Sequence, residues 1–166
     1  NFMNILKLLK IKIKIFLKPN GLTDFLHELP KKTRLLDIGC GNESPKRIKS
    51  ILPKSFYVGI DIGDYNQTLE SKKFADKYIL TSSERFCISI KEIDNKFDAI
   101  ISRHNIEHCE NRNDTLLAMS SKLESNGRIF LSFPSEETIN YPSRRGTLNY
   151  FDDKTHKDNP PNFKNI

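Results

Sequence analysis

Short apolar runs alternate with amphipathic segments along the middle of the chain. The runs are rich in Ile, Val, Leu and Phe and are bounded by Gly, Asp, Asn or Pro, a pattern typical of buried strands. The predicted strands are Arg34–Ile38, Phe56–Ile62, Lys77–Leu80, Phe97–Ser102 and Arg128–Phe133. The predicted helices between them are Pro45–Leu52, roughly Glu70–Phe74, Glu84–Ile93 and Thr115–Leu123. This alternation predicts an α/β fold, a Rossmann-like, doubly wound and mostly parallel sheet with helices on both faces in a three-layer sandwich.

The chain divides into three predicted parts: an N-terminal basic amphipathic helical segment (1–29), the Rossmann-like core (30–134) and a polar loop or lid (135–166). In the first part, four lysines recur every three or four residues and share one helical face, although residues 11–15 alternate like a strand. We expect a helix that packs over a sheet edge; the alternative is an interfacial helix in peripheral contact with anionic lipid. The lysines interrupt the apolar residues, so neither a signal peptide nor a membrane span is predicted.

Composition narrows the functional classes. A chain of 166 residues has the size of one domain, and its net charge of +6 is scattered among acidic residues. Nucleic acid is therefore not the expected partner. The three cysteines form no CxxC motif and have no regular spacing, which argues against a disulfide framework and a structural zinc site and favours a reduced, cytoplasmic protein.

The strongest chemical signal lies at the end of the first two strands. Asp37 lies at the carboxyl end of the first strand, Gly39 and Gly41 follow that strand, and Asp61 lies at the tip of the second, where a carboxylate can accept hydrogen bonds from ribose hydroxyls. A dinucleotide site is the competing interpretation, but Ser44 occupies the third position of its GxGxxG fingerprint. Asp37 would also repel a pyrophosphate, whereas it suits a cofactor that carries an ammonium and a sulfonium.

From Arg34 to Pro134 the chain resembles the class I S-adenosylmethionine-dependent methyltransferases, especially their "type 11" group. The sequence Asp37-Ile38-Gly39-Cys40-Gly41 is similar to the first motif of that family, and Asp61 matches its ribose-binding acid. The resemblance implies S-adenosylmethionine as cofactor, held by Asp37, Gly39, Gly41, Asp61, Ile62, Ser83, Glu84 and Arg103. Ser83-Glu84 departs from the family, in which an Asp is commoner at this place.

His104 and Glu107 follow the fourth strand, at the same sheet edge as the cofactor motif. We expect His104 to act as a general base toward a hydroxyl acceptor and Glu107 to orient it. A packing role for both residues is the alternative. No metal site is expected, although His104, Glu107, His108 and a distant His156 resemble the ligand pattern of small-RNA 2′-O-methyltransferases.

The polar segment after Pro134 resembles an insertion found in some bacterial members that modify cell-surface glycans or other small molecules. In it we expect Arg144, Arg145 and Tyr150 to bind substrate. The predicted function is O-methylation of a small-molecule or sugar acceptor. A catalytically incomplete cofactor-binding protein and an RNA 2′-O-methyltransferase are the alternatives. The family's two further strands are not evident after Pro134, so a truncated sheet whose free edge pairs in a homodimer is also expected.

Overall fold

The computed structural model describes residues 21–144 and 149–162. The helix predicted before Pro19, together with its possible lipid contact, lies outside the described residues, as does Arg145. Among the described helices, none is long and apolar enough to cross a membrane.

The described strands form one sheet whose neighbours all run parallel, in the order β3-β2-β1-β4-β5. The strands are β1 (Arg34–Ile38), β2 (Phe56–Asp61), β3 (Lys77–Leu80), β4 (Phe97–Arg103) and β5 (Leu123–Ser132). The α-helices are α1 (Leu22–His27), α2 (Ser44–Ile51), α3 (Leu69–Lys72), α4 (Phe86–Lys91) and α5 (Arg112–Ser121). The predicted fold class is confirmed. Strand order reverses between β1 and β4, which is where open α/β sheets bind their ligands.

Each face of the sheet carries its own apolar core because side chains alternate along the strands. On one face, Leu36, Ile38 and Ile100 pack with residues of α4 and α5. On the other, Leu35 and Ile101 pack with residues of α1 and α2. Both faces are therefore covered by helices, and the carboxyl edge of the sheet is left as the place for a site.

The fifth strand is longer than predicted. Leu123 already pairs with Phe97, and Ala99 pairs with Arg128, so the register shifts between these two pairs. The polar residues 124–127 lie within the strand, whereas the sequence places them between a predicted helix and a predicted strand. Residues 124–127 have no register partner in β4 themselves, and the pairs on either side of them hold this stretch in the strand.

The segment after Pro134 folds back onto the carboxyl edge of the sheet. It contains two 3₁₀ turns, Glu136–Asn140 and Tyr150–Asp152. Arg112, at the start of α5, donates to the carbonyl oxygens of Lys157 and Asn159 and to the hydroxyl of Tyr150. These bonds place the segment beside the residues that follow β4.

Candidate active site

The turn after β1 contains two glycines, so its backbone can lie close to neighbouring groups or to a ligand. Gly39 has φ of +77°, and a Cβ there would lie 2.8 Å from Cβ of Asn105. A Cβ at Gly41 would lie 2.9 Å from the carbonyl oxygen of Tyr65. Both glycines therefore keep open a space that any other side chain would fill.

Asp37, the next-to-last residue of β1, lines this space, and its side chain is buried. Its Oδ2 accepts hydrogen bonds from the Ser44 hydroxyl at 2.5 Å and from the Tyr57 hydroxyl at 2.6 Å. Burial outweighs both bonds and raises the pKa of Asp37 to about 6. Both bonds use Oδ2, so Oδ1 is left for a ligand.

Asp61 closes the opposite side of the turn. Its Oδ2 accepts from the backbone N–H of Gly41 at 2.9 Å, and its Oδ1 accepts from the N–H of Ile62 at 2.7 Å. Burial raises the pKa of Asp61, against these backbone bonds, which lower it. The carboxylate thus fixes the glycine turn and also faces the cavity.

A cavity of about 560 Å³ lies over these residues, within the usual size of small-ligand sites. It brings together most of the predicted cofactor residues: Asp37, Gly39, Gly41, Asp61, Ile62 and Arg103. Ser83 and Glu84 do not line it; both are exposed, and Ser83 donates to Glu84 at 2.9 Å. Their cofactor role stays a prediction.

Several residues of the cavity were not predicted, among them Ser44, Tyr65 and Asn105. Tyr57, which bonds Asp37 from beneath, could have been found from strand register. It pairs with Leu35 on the neighbouring strand, and Leu35 and Asp37 share one face of β1. No sequence signal marks Asn105, whose position depends on the turn after β4.

His104 lies at the mouth of this cavity in a left-handed backbone conformation, with φ of +47°. Its N–H still donates to the carbonyl oxygen of Ser132 at 2.7 Å, so the chain leaves the sheet directly at this residue. Its Nδ1 lies 3.3 Å from Oε1 of Glu107, whose side chain is only 1% exposed while that of His104 is 59% exposed. The structure thus brings the predicted base and its orienting partner together.

A second cavity, of about 780 Å³, adjoins the first. His104, His108, Asp153 and Thr155 line both cavities. Tyr150 lines the second one, and its ring is buried and stacks on His156, with the ring centres 4.2 Å apart. Its side chain therefore forms the wall of the cavity and is not an exposed stacking surface; its binding of substrate stays a prediction.

Arg144 is exposed and does not line either cavity within the described part of the chain. The acceptor role predicted for it and for Arg145 stays a prediction. Of the four residues in the alternative metal pattern, the ligand atoms of Glu107, His108 and His156 come together, and His104 contacts Glu107 without belonging to that group.

The described site fits S-adenosylmethionine better than a dinucleotide. Asp37 and Asp61 are both buried in its wall, and carboxylates suit a cationic ligand with ribose hydroxyls. The two negative charges of a pyrophosphate would be repelled by the Asp37 carboxylate, and its burial would strengthen that repulsion.

A profile of the methyltransferase-domain family matches residues 14–160. The chain belongs to this family. The resemblance to class I S-adenosylmethionine-dependent methyltransferases, read from Asp37-Ile38-Gly39-Cys40-Gly41 and Asp61, is thereby confirmed, and with it the expectation of a methyltransferase domain.

One relative of this methyltransferase domain is an uncharacterized protein of Methanocaldococcus jannaschii, 32% identical over 115 residues. The match covers 66% of the present chain and 30% of that protein, so the chain spans less than a third of this relative.

Two solved structures share the fold. The plantazolicin methyltransferase BpumL, in complex with SAH, has a TM-score of 0.57 at 20% identity; 88% of this chain and 59% of that one are covered. An O-methyltransferase from a trans-AT PKS multienzyme of Brevibacillus brevis, with S-adenosyl-L-homocysteine, has a TM-score of 0.53 at 20% identity. There the match covers 76% of this chain and 44% of the other.

Proposed function

We propose that this methyltransferase domain binds S-adenosylmethionine in the first cavity and methylates a hydroxyl of a small acceptor held in the second. One observation carries the proposal: His104 lines both cavities and is hydrogen-bonded to the buried Glu107. The S-adenosyl-L-homocysteine bound to the relatives is the demethylated form of this cofactor.

The chain's own residues account for cofactor binding. Asp61 would accept hydrogen bonds from the ribose, and Oδ1 of Asp37 would face the cationic end of the cofactor. Gly39 and Gly41 let backbone pass against it without a Cβ in the way. When bound, the cofactor supplies a methyl group activated by the adjacent sulfonium.

His104 would take the proton of the acceptor hydroxyl. Methyl transfer is an in-line displacement, for which the enzyme must position the nucleophile and exclude water. Glu107 contributes by holding the imidazole through Nδ1, which leaves Nε2 to accept the proton. The left-handed backbone of His104 stores strain of about 1–3 kcal/mol, a cost that local packing offsets, as is common at functional sites.

The charge of the second cavity favours a small, non-polyanionic acceptor. Among the described residues, Glu107, Asp152 and Asp153 line it together with the amine of Lys154. These carboxylates would repel the phosphates of RNA, and nucleic-acid binding needs the opposite charge. The volume of about 780 Å³ is ample for a small molecule or a sugar unit.

Isotope transfer tests the proposal. The chain is incubated with methyl-labelled S-adenosylmethionine and, in separate arms, a low-molecular-weight cell extract, a cell-envelope extract and total RNA. We expect label in a small-molecule or envelope arm and none in RNA. His104→Ala should reduce transfer at least about 100-fold, the usual contribution of a general base, while its affinity for S-adenosylhomocysteine stays near that of the original chain.

His27→Ala is the matched control, because His27 ends α1 on a face away from both cavities and should change nothing. Label in RNA alone would contradict the acceptor class. Full turnover by His104→Ala would remove His104 from catalysis. Cofactor binding without transfer in any arm would favour a catalytically incomplete domain.

A further inference from the structure

A second chemical feature of the site is a cluster of metal-ligating side chains beside the proposed base. Glu107, His108 and His156 each offer one ligand atom, and these atoms lie within 4.8 Å of one another. Glu107 and His108 follow β4, whereas His156 comes from the segment that Arg112 holds in place. Residues about fifty positions apart in the sequence therefore converge on one point.

Hydrogen bonds fix the tautomers of the two imidazoles. Nδ1 of His156 lies 2.6 Å from the carbonyl oxygen of Tyr150, which can only accept, so Nδ1 carries the proton. Nδ1 of His108 lies 2.9 Å from the hydroxyl oxygen of Thr155.

The hydroxyl of Thr155 in turn donates to Oδ1 of Asp153 at 2.6 Å, so its oxygen accepts from His108. Each neutral ring is thus left with the lone pair of Nε2. Histidine ligands of metals are oriented by this kind of Nδ1 hydrogen bond.

Glu107 supplies the third acceptor. Its side chain is 1% exposed, and Oε1 is engaged with His104 at 3.3 Å. Its Oε2 is buried and has no hydrogen-bond partner among the described residues. A buried carboxylate oxygen without a partner is costly, and two imidazole lone pairs beside it cannot relieve that cost. A cation can.

We propose that Glu107, His108 and His156 form a binding site for one divalent transition-metal ion, of which Zn²⁺ is the best match. Two imidazoles and a carboxylate are a zinc ligand set, and three protein ligands leave one coordination position open. Mg²⁺ and Ca²⁺ prefer all-oxygen sites. Zinc bonds of about 2.0–2.2 Å require the donor atoms to lie closer together, so the three side chains rotate inward on binding.

The location of the metal site in the second cavity indicates a role for its open coordination position. All three ligands line the second cavity, and Glu107 joins the cluster to His104. An acceptor oxygen at the open position would be oriented toward the proposed base, and a divalent cation there would favour its deprotonation. This role, unlike the metal site itself, rests on the proposed function.

Zinc binding to the chelator-treated full chain tests the site, measured by calorimetry. We expect one Zn²⁺ per chain and no comparable binding of Mg²⁺. His156→Gln and Glu107→Gln should each weaken zinc binding at least about tenfold, and His27→Ala should leave it unchanged. Co²⁺ should show the visible absorption of a low-symmetry nitrogen and oxygen site in the original chain and lose it in His156→Gln.

Thermal melting of each variant shows whether it is folded. Absence of zinc binding, or equal binding by the original chain and a folded His156→Gln, would overturn the site; the hydrogen bonds of His108 with Thr155 and of His156 with Tyr150 would then explain the cluster. Zinc binding with methyl transfer unchanged in excess chelator would overturn the orienting role alone. Cofactor affinity tests the proposed function separately, because the first cavity contains neither Glu107 nor His156. His104→Ala is compared with the original chain at the same zinc content.

Discussion

The ionised side chain of Asp37 lowers the stability of the folded chain but favours binding of a cationic ligand. Its burial raises its pKa to about 6, so its ionised form destabilises the folded chain at neutral pH. Ser44 and Tyr57 reduce that cost through hydrogen bonds to Oδ2. The ionised form is nevertheless the one that suits a cationic ligand, so stability is given up for affinity at this residue.

Asp37→Asn should separate the two effects. Between the ordinary pKa of 3.8 and about 6, the folded state binds the proton more tightly than the unfolded state, so stability falls as pH rises through this window. The asparagine variant lacks that loss. We expect its free energy of unfolding to exceed that of the original chain by about 1–3 kcal/mol at pH 8, with little difference below pH 4. Urea denaturation at the two pH values measures this.

Ligand affinity should move in the opposite direction. In the original chain, affinity for S-adenosylmethionine should fall about tenfold from pH 8 to pH 5 as Asp37 is protonated. In Asp37→Asn it should be weak and nearly constant over that range. The same pH dependence in both chains would show that Asp37 does not face the cofactor.

Two loops must fit each other for the first cavity to exist, the turn after β1 and the turn after β4. The two turns contact each other at Gly39 and Asn105. A Cβ added to Gly39 would lie only 2.8 Å from Cβ of Asn105. Asn105 is held by bonds to the Ser102 hydroxyl at 3.3 Å and to Cys109 Sγ at 3.7 Å. The left-handed turn at His104 therefore positions both the proposed base and the partner of the glycine.

Gly39→Ala should close the cavity. Its methyl group would meet Asn105, and its backbone would be held in a left-handed conformation that costs about 1–2 kcal/mol for other residues. We expect cofactor affinity to fall at least about tenfold by calorimetry, since overpacking typically costs about 1–3 kcal/mol more. The double variant Gly39→Ala with Asn105→Gly removes only the collision and should recover part of the affinity. Undiminished binding by Gly39→Ala would contradict the fit between the two loops.

The parts of this fold that could be predicted are those with local signals. β1 to β4 are apolar runs with turn residues at their ends. Asp37 and Asp61 could be predicted as site residues because they lie at the carboxyl ends of the first two runs. The first half of β5 could not be predicted, because residues 124–127 are polar and are held in the strand by the pairs that Leu123 and Arg128 form with β4. The left-handed backbone of His104, which positions Asn105, also could not be predicted, because no pattern of hydrophobic and polar residues indicates it.

At the scale of the molecule, the site is completed by a segment that sequence alone leaves as a polar loop. The backbone N–H of Lys157 donates to the carbonyl oxygen of Glu107 at 2.8 Å, and Arg112 donates to three oxygens of the segment. These contacts span about 40 to 50 residues and carry no periodic signal. The second cavity and the proposed His156 ligand depend on them.

Arg112→Ala tests whether this attachment builds the acceptor side of the site. Charged hydrogen bonds contribute about 1.5–3 kcal/mol each, so we expect the segment 149–162 to lose most of its hydrogen-exchange protection by mass spectrometry while β1 and β4 keep theirs. Zinc affinity should then fall with the displacement of His156, and cofactor affinity should change little, because Asp37 and Asp61 lie on the sheet. Arg85→Ala is the matched control, since Arg85 pairs with Glu92 on the exposed surface. A segment that stays protected without Arg112 would mean that the contacts of Lys157 and Tyr150 suffice, and that the acceptor cavity does not depend on α5.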